Sequence, residues 1–343
     1  MDLLPTAQQQ QIIDTAADFL AHEFPVRAVY GGSDSHSHFT REHLKKIASL
    51  GWIGIGLGEE FDGVGCGFPE EALLFVELGR NLLPPSLLGS VLAAHIAAGC
   101  GAIAYLPRIL EGDLKVALAV PRAVRPAFID TTVDGELLVY EAHDAEWVLV
   151  ADERGAALLP LAALTCLHTE HCIDGTLGLS CWRATATPAV CFLPAAQDAL
   201  FLRGALLISA MLLGIAEATL HRSVNYARER QQFGKAIGSF QAIKHYCAEM
   251  AIRCESVRAL LYHASLTLQS NAPAGPFDTY SLKALAIDAA QRNANTAVQI
   301  HGGMGYTQEL DIHRFVKRAQ VLGTLFGSER FHLKQLLAQS AAQ

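Results

Sequence analysis

The chain has 343 residues, of which 51% are hydrophobic and 17% are charged. This composition excludes an intrinsically disordered protein and is enough for two or three domains or for one large layered fold. Lys and Arg total 26 against 34 Asp and Glu, so the net charge is -8. A negative chain repels phosphate backbones and anionic lipids, and we expect neither nucleic acid nor a membrane as a partner.

The apolar runs and the cysteines predict the compartment. The first residues, MDLLPTAQQQ, contain no positively charged leader ahead of an apolar stretch. The longest apolar run, Gly204 to Ala216, lies between Arg203 and Glu217 and is shorter than the roughly 20 residues of a membrane-spanning helix. The 8 cysteines show no repeated CxxC spacing, which fits reduced thiols. We expect a soluble, cytoplasmic protein in which this run is a buried core helix.

The first third of the chain shows helical periodicity up to about Asp113. The segment QQQIIDTAADFLAHEF repeats apolar residues every three or four positions, as one face of an amphipathic helix does. Between the predicted helices, GWIGIGLGEEFDGVGCGFPEE is dense in glycine and predicts turns. Further helices are predicted over residues 41–50, 69–82 and 87–98.

The pattern changes to strands at Leu114. Four short runs, LKVALAV, GELLVYEA, EWVLVAD and ALLPLAAL, are β-prone and are separated by Gly, Pro and Asp. No helix-length pattern interrupts them up to about Ala195. They predict a small sheet or barrel domain.

Helical periodicity returns at Ala199 and continues to the end. One long helix is predicted from an apolar stripe with a repeat of three or four residues: Phe240, Ile243, Cys247, Met250, Cys254, Val257 and Leu261. A second extends from about Asp278 to Ile300, and a last one covers residues 328–338. The predicted fold is mainly α with a small β middle domain: a helical domain over 1–113, a β domain over 114–198 and a four-helix-type bundle over 199–343.

The run CLHTEHC is a possible metal site. It contains Cys166, His168, His171 and Cys172, which are all zinc-ligand types. Structural zinc sites draw ligand pairs from separated elements, and this run is too compressed for one tetrahedral cage. We interpret it as a strand or loop with surface histidines and assign no metal.

Two C-terminal segments together predict a ligand site. RERQQFGKAIGSFQAIKH supplies the Arg230 guanidinium, the Phe233 ring and the Gln241 amide. QIHGGMGYTQEL ends a helix and then offers glycines at which backbone N–H groups can approach a ligand. Arginine binds phosphate bidentately and phenylalanine packs on a ring, so the pair suits a phosphate-bearing planar ligand. Alternatively, each segment only terminates a helix.

The two segments, in this order and within an α-β-α layout, resemble the acyl-CoA dehydrogenase family. LGWIGIGLGEEFDGVGCGFPEEALLFVELGR also resembles that family's first domain. The resemblance implies a helical domain, a β-barrel and a four-helix bundle that forms the dimer core, with FAD as cofactor and an acyl-CoA as substrate. It further implies that seven residues grip the ADP half of a flavin whose isoalloxazine ring lies in the neighbouring subunit: Arg230, Phe233, Phe240, Gln241, Gln299, Gly302 and Gly303.

The resemblance also implies a catalytic base that this chain lacks. In that family a glutamate removes the α-proton of the acyl-CoA while the β-hydrogen leaves as hydride to the flavin. In some members the glutamate lies in a turn past the Gly-Gly pair, where this chain has TLFGSE with Phe326 at the position of the glutamate. In others it lies in the helix before Arg230, where Gly204 stands. Both positions are vacant, and no catalytic residue is assigned.

The middle domain departs from the family as well. Flavin-binding members carry a loop of the type Thr-Glu-Pro-x-x-Gly-Ser-Asp at the first barrel strand and a Trp-Ile-Thr strand later. This chain has LAVPRAVRPAF, with only Pro121 retained, and LLVYEAHDAEW. The groups that hold the flavin ring are therefore missing from its own subunit. These losses resemble the smaller, base-less subunit of paired bacterial acyl-CoA dehydrogenases that act on sterol side-chain CoA thioesters, assembled as α2β2 heterotetramers.

Two other functions stay open at this point. In the first, the chain is a binding or scaffold protein on the same fold. In the second, it is an autonomous dehydrogenase with a relocated base, Glu329 or Glu309. Glu329 lies three residues after Phe326, which on a helix is one turn or roughly 4.5 Å, too far for proton transfer in a tight site. The base-less subunit of a heteromeric enzyme, sharing FAD with a homologous catalytic partner, is the function that we predict.

Overall fold

The computed structural model of the chain describes residues 5–26, 39–122 and 128–340. Helices predominate at both ends of the chain, and strands occupy its middle. The helices are α1 Ala7–Glu23, α2 Arg41–Ala48, α3 Phe68–Arg80, α4 Ser86–Gly99, α5 Leu106–Leu110, α6 Leu200–Glu229, α7 Gln241–Gln269, α8 Gly275–His301, α9 Ile312–Leu322 and α10 Glu329–Ser340.

The strands form one large sheet and one small hairpin. The sheet strands are β1 Val116–Pro121, β2 Phe128–Ile129, β3 Thr132–Tyr140, β4 Trp147–Asp152, β5 Gly155–Pro160, β6 Thr165–Glu170, β7 Leu179–Pro188 and β8 Cys191–Pro194. Their order is β6-β7-β3-β1-β4-β5-β8, with β2 on β3. Strand β1 is parallel to β4, and the other pairs are antiparallel. The sheet therefore lies in the part of the chain where strands were predicted.

A hydrophobic core fills one side of this sheet. Val139 of β3, Val148 and Val150 of β4, and Leu159 of β5 are fully buried, and they cluster with Phe128. Alternate residues of a strand point to the same face, so Val148 and Val150 share this core. The predicted run ALLPLAAL becomes a strand only up to Pro160, because its second half forms a short 3-10 turn.

The helix starts follow side-chain capping. Thr6 accepts a hydrogen bond from the Gln9 N–H, and the Gln9 side chain accepts one from the Thr6 N–H at 2.9 Å. Thr40 and His43 form the same reciprocal arrangement at α2. These capping boxes satisfy backbone donors that a helix N-terminus leaves unpaired. The helix from Thr40 starts where it was predicted and ends two residues earlier.

Helix α6 is the central core helix. It is long and apolar enough to cross a bilayer by length and composition, but 94% of its most apolar stretch is buried inside the protein. The run from Gly204 to Ala216 is a buried helix, as predicted. The stripe predicted for α7 is only partly correct: Met250, Cys254 and Val257 are buried, whereas Phe240 precedes the helix and is half-buried.

The described residues form two compact units. Residues 5–26, 68–83 and 205–340 make up the first, here called the bundle unit, and residues 39–67, 84–122 and 128–204 make up the second. Helices α1 and α3 thus belong with the C-terminal helices. The three-domain division at residues 113 and 198 stays a prediction.

A buried carboxylate links three helices of the bundle unit. Glu217 of α6 has a side chain that is 7% exposed. One of its oxygens accepts from the Arg80 Nε at 2.9 Å, and the other accepts from the Arg258 Nε at 3.1 Å. Arg80 also pairs with Glu77 at 2.9 Å, and Arg258 also pairs with Glu255. Glu217 therefore joins α6 to α3 and α7.

Candidate cofactor-binding site

A two-stranded hairpin follows α6 and carries the first predicted segment. Strand β9, Gln231–Gln232, pairs antiparallel with β10, Lys235–Ala236. The two residues between them, Phe233 and Gly234, have φ values of 53° and 78°. Two successive left-handed residues are typical of a type I′ turn, whose twist matches that of paired strands. The sequence indicated only the ends of helices in this segment, and the hairpin corrects that expectation.

The Phe233 ring lies at the tip of this hairpin and is 91% exposed. It packs edge to face on the Phe240 ring, with 6.1 Å between centroids. The Lys235 Nζ lies 4.4 Å from the centroid of the Phe240 ring. A left-handed conformation costs a non-glycine residue about 1–2 kcal/mol, and an exposed ring gains little burial to offset it. Strain of this kind clusters at binding surfaces.

Arg230 has a fixed backbone and an exposed side chain. Its N–H donates to the Tyr226 carbonyl at 2.8 Å, and its carbonyl accepts from the Ile237 N–H at 2.8 Å. Gln241 is the first residue of α7, directly after Phe240, and it is exposed as well. The segment therefore presents a cation, two rings and an amide within a short stretch of chain.

The second predicted segment ends α8. Gly302 caps the helix with a φ of 59°, and residues 302–306 form a short 3-10 turn. A Cβ added at Gly302 or Gly303 meets nothing within 4 Å, whereas one added at Gly305 lies 2.9 Å from the Val298 carbonyl oxygen. The first two glycines thus open to solvent, and Gly305 serves packing. Gln299, in the last turn of α8, is exposed.

An aromatic stack connects the two segments. The Tyr226 ring lies 4.3 Å from the His301 ring at an interplanar angle of 26°. The His301 Nδ1 donates to the Ala297 carbonyl at 2.7 Å, and burial lowers the pKa of His301, so its ring is neutral. Tyr226 and Ile237 pack on a buried cluster that contains Ile300. Both segments are therefore anchored at the same end of the bundle unit.

The seven predicted cofactor residues form an outward-facing surface. Phe240 is half-buried, and the other six are exposed: Arg230, Phe233, Gln241, Gln299, Gly302 and Gly303. The guanidinium can bind a phosphate, the rings can stack on a planar group, and the open glycines admit backbone donors. The surface contains no nucleophile or carboxylate among these residues. It is suited to binding and not to proton transfer.

The turn between α9 and α10 holds the first vacant base position. Phe326 is buried, has a φ of 52°, and is followed by Gly327 with a φ of 96°. Its carbonyl accepts from the His332 Nε2 at 2.9 Å. The expectation that Glu329 lies one helix turn beyond Phe326 is wrong, because Phe326 is outside the helix and Glu329 begins it as an exposed residue.

The second vacant base position lies within α6. Gly204 is buried in a stretch, residues 200–216, that contains no Asp or Glu. Glu309, the other candidate for a relocated base, is exposed and lines a cavity of about 430 Å³ with Arg222 and His301. Neither vacant base position, Gly204 or Phe326, lines this cavity.

The compressed Cys-His run lies in strand β6 up to Glu170, and its last two residues, His171 and Cys172, follow the strand, in line with its interpretation as a strand or loop. The structure brings His168 together with Glu170 and Cys181, whose donor atoms lie within 4.8 Å of one another. The Arg122 guanidinium already occupies this group, 3.0 Å from a Glu170 oxygen and 3.2 Å from the Cys181 sulfur. A built-in cation disfavours a metal ion at this position.

Two family models match the chain. The acyl-CoA dehydrogenase N-terminal domain matches residues 6–112, and the C-terminal domain matches residues 193–341. A curated relative, acyl-CoA dehydrogenase IpdE2 of Mycolicibacterium smegmatis, is 31% identical over 290 residues, which cover 84% of this chain and 85% of the relative. The chain belongs to the acyl-CoA dehydrogenase family. Membership implies an FAD-dependent oxidoreductase fold.

Solved structures of acyl-CoA dehydrogenases have the same fold. The ChsE4–ChsE5 complex of Mycobacterium tuberculosis gives a TM-score of 0.85 at 22% identity, with 100% of both chains covered. The Tcur3481–Tcur3483 steroid ACAD gives 0.82 at 23% identity, with 98% of both chains covered. The fold class predicted from the sequence, helical at both ends with a β middle part, is thereby confirmed.

Sequence reasoning missed several buried polar groups of this family member. Lys283 is fully buried in α8, and His332 is fully buried in α10 next to the turn of Phe326. The signal for Lys283 was present, since a lone cation interrupts the apolar stretch SLKALAIDAA. Its acceptor, the Leu322 carbonyl, lies in another helix and has no sequence signature.

Proposed function

We propose that this chain is the base-less subunit of a heteromeric FAD-dependent acyl-CoA dehydrogenase. It contributes the grip on the ADP half of the flavin, and a homologous catalytic partner supplies the glutamate and the loop that holds the flavin ring. The observation that carries the proposal is the contrast between an intact, exposed cofactor surface around Arg230 and a buried Phe326 at the base position.

The residues present fit the ADP half of FAD. The space around Gly302 and Gly303, in which a Cβ has no neighbour within 4 Å, lets a pyrophosphate approach the backbone. Arg230 is exposed within the same end of the bundle unit and can pair with phosphate oxygens. The Phe233 ring, exposed at its hairpin tip, can cover an aromatic ring.

The residues of the middle part do not supply the other half. The segment LAVPRAVRPAF lacks the hydroxyl and acidic residues of a flavin-ring loop, and residues 123–127 of it lie outside the described residues. In a homodimer, both subunits would lack the groups that hold the flavin ring. A heteromer uses the exposed half in one subunit and the missing half from the other, which supports a shared FAD.

Similar proteins favour a paired assembly. ChsE4–ChsE5 and Tcur3481–Tcur3483 are each named as two components. We infer an α2β2 heterotetramer with one FAD for each pair of unlike chains. Because the second of these structures is named a steroid ACAD, we further infer that the substrate is a steroid side-chain CoA thioester.

The roles of the chain's own residues follow from their chemistry. FAD, when bound, supplies the hydride acceptor for α,β-dehydrogenation. Arg230 neutralises and orients phosphate oxygens, and the Gly302–Gly303 backbone donates to them. Phe233 and Phe240 shield a planar group from water. Neither described base position of this chain, Gly204 or Phe326, offers a carboxylate, so the partner's carboxylate takes the α-proton.

Flavin stoichiometry tests the assignment. We expect the chain purified alone to be colourless and inactive, and the complex co-expressed with its partner to contain one FAD per two chains. The measurement is flavin absorbance against protein concentration, with dehydrogenation of an acyl-CoA as the activity readout. An active, fully flavinylated self-dimer would contradict the proposal and favour an autonomous enzyme.

Two glycines of the second segment provide a matched pair of variants. We expect Gly303→Ala to leave the unfolding free energy within about 0.5 kcal/mol of wild type, since its Cβ enters open space. It should weaken FAD binding roughly 10- to 150-fold by blocking a hydrogen bond to a charged group, worth about 1.5–3 kcal/mol.

Gly305→Ala is the control, with the opposite expectation. Its Cβ lies 2.9 Å from the Val298 carbonyl oxygen, so we expect destabilisation of about 1–3 kcal/mol by overpacking. Urea unfolding and equilibrium dialysis of FAD, both on the assembled complex, separate the two effects. Equal FAD binding by Gly303→Ala and wild type would argue that the segment only ends a helix.

A further inference from the structure

Lys283 is a buried lysine that has no carboxylate partner among the described residues. Its side chain is fully buried in α8, and its Nζ donates to the Leu322 carbonyl at 2.9 Å. Among the described residues, no acidic group pairs with it, and burial is the cause that lowers the pKa of its amine. Burying an ammonium with one neutral acceptor is costly. A lysine kept at such a position despite this cost in stability is therefore a candidate for a functional role.

His332 approaches the same turn from α10. It is fully buried, and its Nε2 lies 2.9 Å from the Phe326 carbonyl oxygen. A carbonyl only accepts, so the proton is on Nε2, and Nδ1 is left without a hydrogen-bond partner in the described part of the chain. The Tyr280 and Phe331 rings lie 5.6 Å and 5.1 Å from the His332 ring, between centroids, and fix its position.

The turn between these two contacts is itself strained. Phe326 is left-handed, and a side chain at Gly327 would put its Cβ 2.5 Å from the Phe331 ring. Three unfavourable features thus converge on one short segment: a buried lysine, an orphaned imidazole nitrogen and a left-handed aromatic residue. Residues in unfavourable conformations or environments of this kind occur mostly at functional elements that the surrounding structure holds in place.

We propose that Lys283 and His332 are positioning residues that clamp the Leu322–Gly327 turn at its two ends, and that uptake of a proton by Lys283 releases the turn. The clamp is a property of this chain's own bundle unit. It does not depend on which subunit supplies the base or on whether FAD is shared.

The electrostatics give the direction of the response. Burial lowers the pKa of Lys283 to about 7, so above that pH the amine is neutral and donates to Leu322 without a desolvated charge. Burial, with the Lys283 charge as the next cause, lowers the pKa of His332 to about 4. Among the described residues, His332 is the titratable group whose pKa the Lys283 charge lowers, and it stays neutral at pH 7.

The sign follows from proton linkage. The ordinary pKa of a lysine, 10.5, applies once the turn is open, and a pKa of about 7 applies when it is closed. Between these values only the open form binds the proton, so the closed turn gains stability as the pH rises from 7 and loses it as the pH falls back. One proton gives at most a tenfold change in the opening equilibrium per pH unit.

Hydrogen exchange of the full-length chain, in the assembly in which it purifies, tests the clamp. We expect protection factors of amides in the Leu322–Gly327 turn, corrected for intrinsic exchange, to rise by up to about 100-fold from pH 7 to pH 9. Amides of the α6 core should show a smaller change. Lys283→Met, which keeps the length of the side chain, should abolish the pH dependence in the turn.

Two further variants complete the test. Lys334→Met, at an exposed position of α10, should leave the pH dependence unchanged. His332→Leu removes the contact with Phe326, so it should lower protection of the turn at every pH and retain the slope. The clamp is overturned if wild type is flat from pH 7 to pH 9, if Lys283→Met keeps the slope, or if the α6 amides respond as strongly as the turn.

Discussion

Replacing Arg230 with alanine is expected to release FAD from the assembled heteromer without unfolding either subunit. The guanidinium is exposed, and no described residue forms an ion pair with it. Its removal should therefore change the unfolding free energy by no more than about 0.5 kcal/mol. In the proposed complex it faces phosphate oxygens, and truncating one partner of such a charge pair costs about 2–5 kcal/mol.

This loss corresponds to a roughly 30- to 5,000-fold weaker affinity for FAD. The measurement is equilibrium dialysis of FAD against the complex, with gel filtration to verify that both subunits stay together. Arg292→Ala is the matched control, because Arg292 is also an exposed arginine and its Nε donates to Asp288 at 2.6 Å within α8. It should leave FAD affinity unchanged.

The result separates the proposed function from its nearest rival. If the segment around Arg230 only shaped a scaffold, Arg230→Ala and Arg292→Ala would behave alike, and the complex would assemble with no flavin-dependent difference. A complex that keeps its full FAD content after loss of Arg230 would remove the central support for a shared cofactor site.

The fold was largely predictable because its signals are local. The periodicity of α6 and α8 and the Thr6 capping box are written in neighbouring residues. Strands β6 to β8 were less visible, since the exposed face of β6 reads as a polar run with histidines. Whether such a segment forms a strand depends on the burial of one of its faces. The residues that bury this face lie far away in the sequence.

The candidate site was likewise only partly predictable from the sequence. The identities of Arg230 and Gly302 follow from short motifs, and these assignments remain predictions. Their common location does not follow from motifs, because it depends on the stack of Tyr226 on His301 between two helices. The hairpin was missed because a type I′ turn normally has Asn or Asp before glycine, and here Phe233 takes that place.

The second large effect concerns Glu217. We expect Glu217→Leu to destabilise the bundle unit by about 3 kcal/mol, the lower end of the range for removing one partner of a buried ion pair. The variant leaves the guanidinium groups of Arg80 and Arg258 without their shared acceptor. The lower end applies because these arginine side chains are 38% and 39% exposed, so water screens part of the uncompensated charge.

Urea unfolding of the full-length chain, followed by far-UV circular dichroism, measures this effect, and an ion pair with an exposed carboxylate provides the control. Glu249 and Arg253 lie one turn apart on α7 with a separation of 3.2 Å, and the Glu249 side chain is 60% exposed. Glu249→Ala should cost no more than about 1 kcal/mol. If Glu217→Leu were equally mild, apolar packing and not the carboxylate would join α6 to α3 and α7, and combining it with Arg258→Met should then give additive losses.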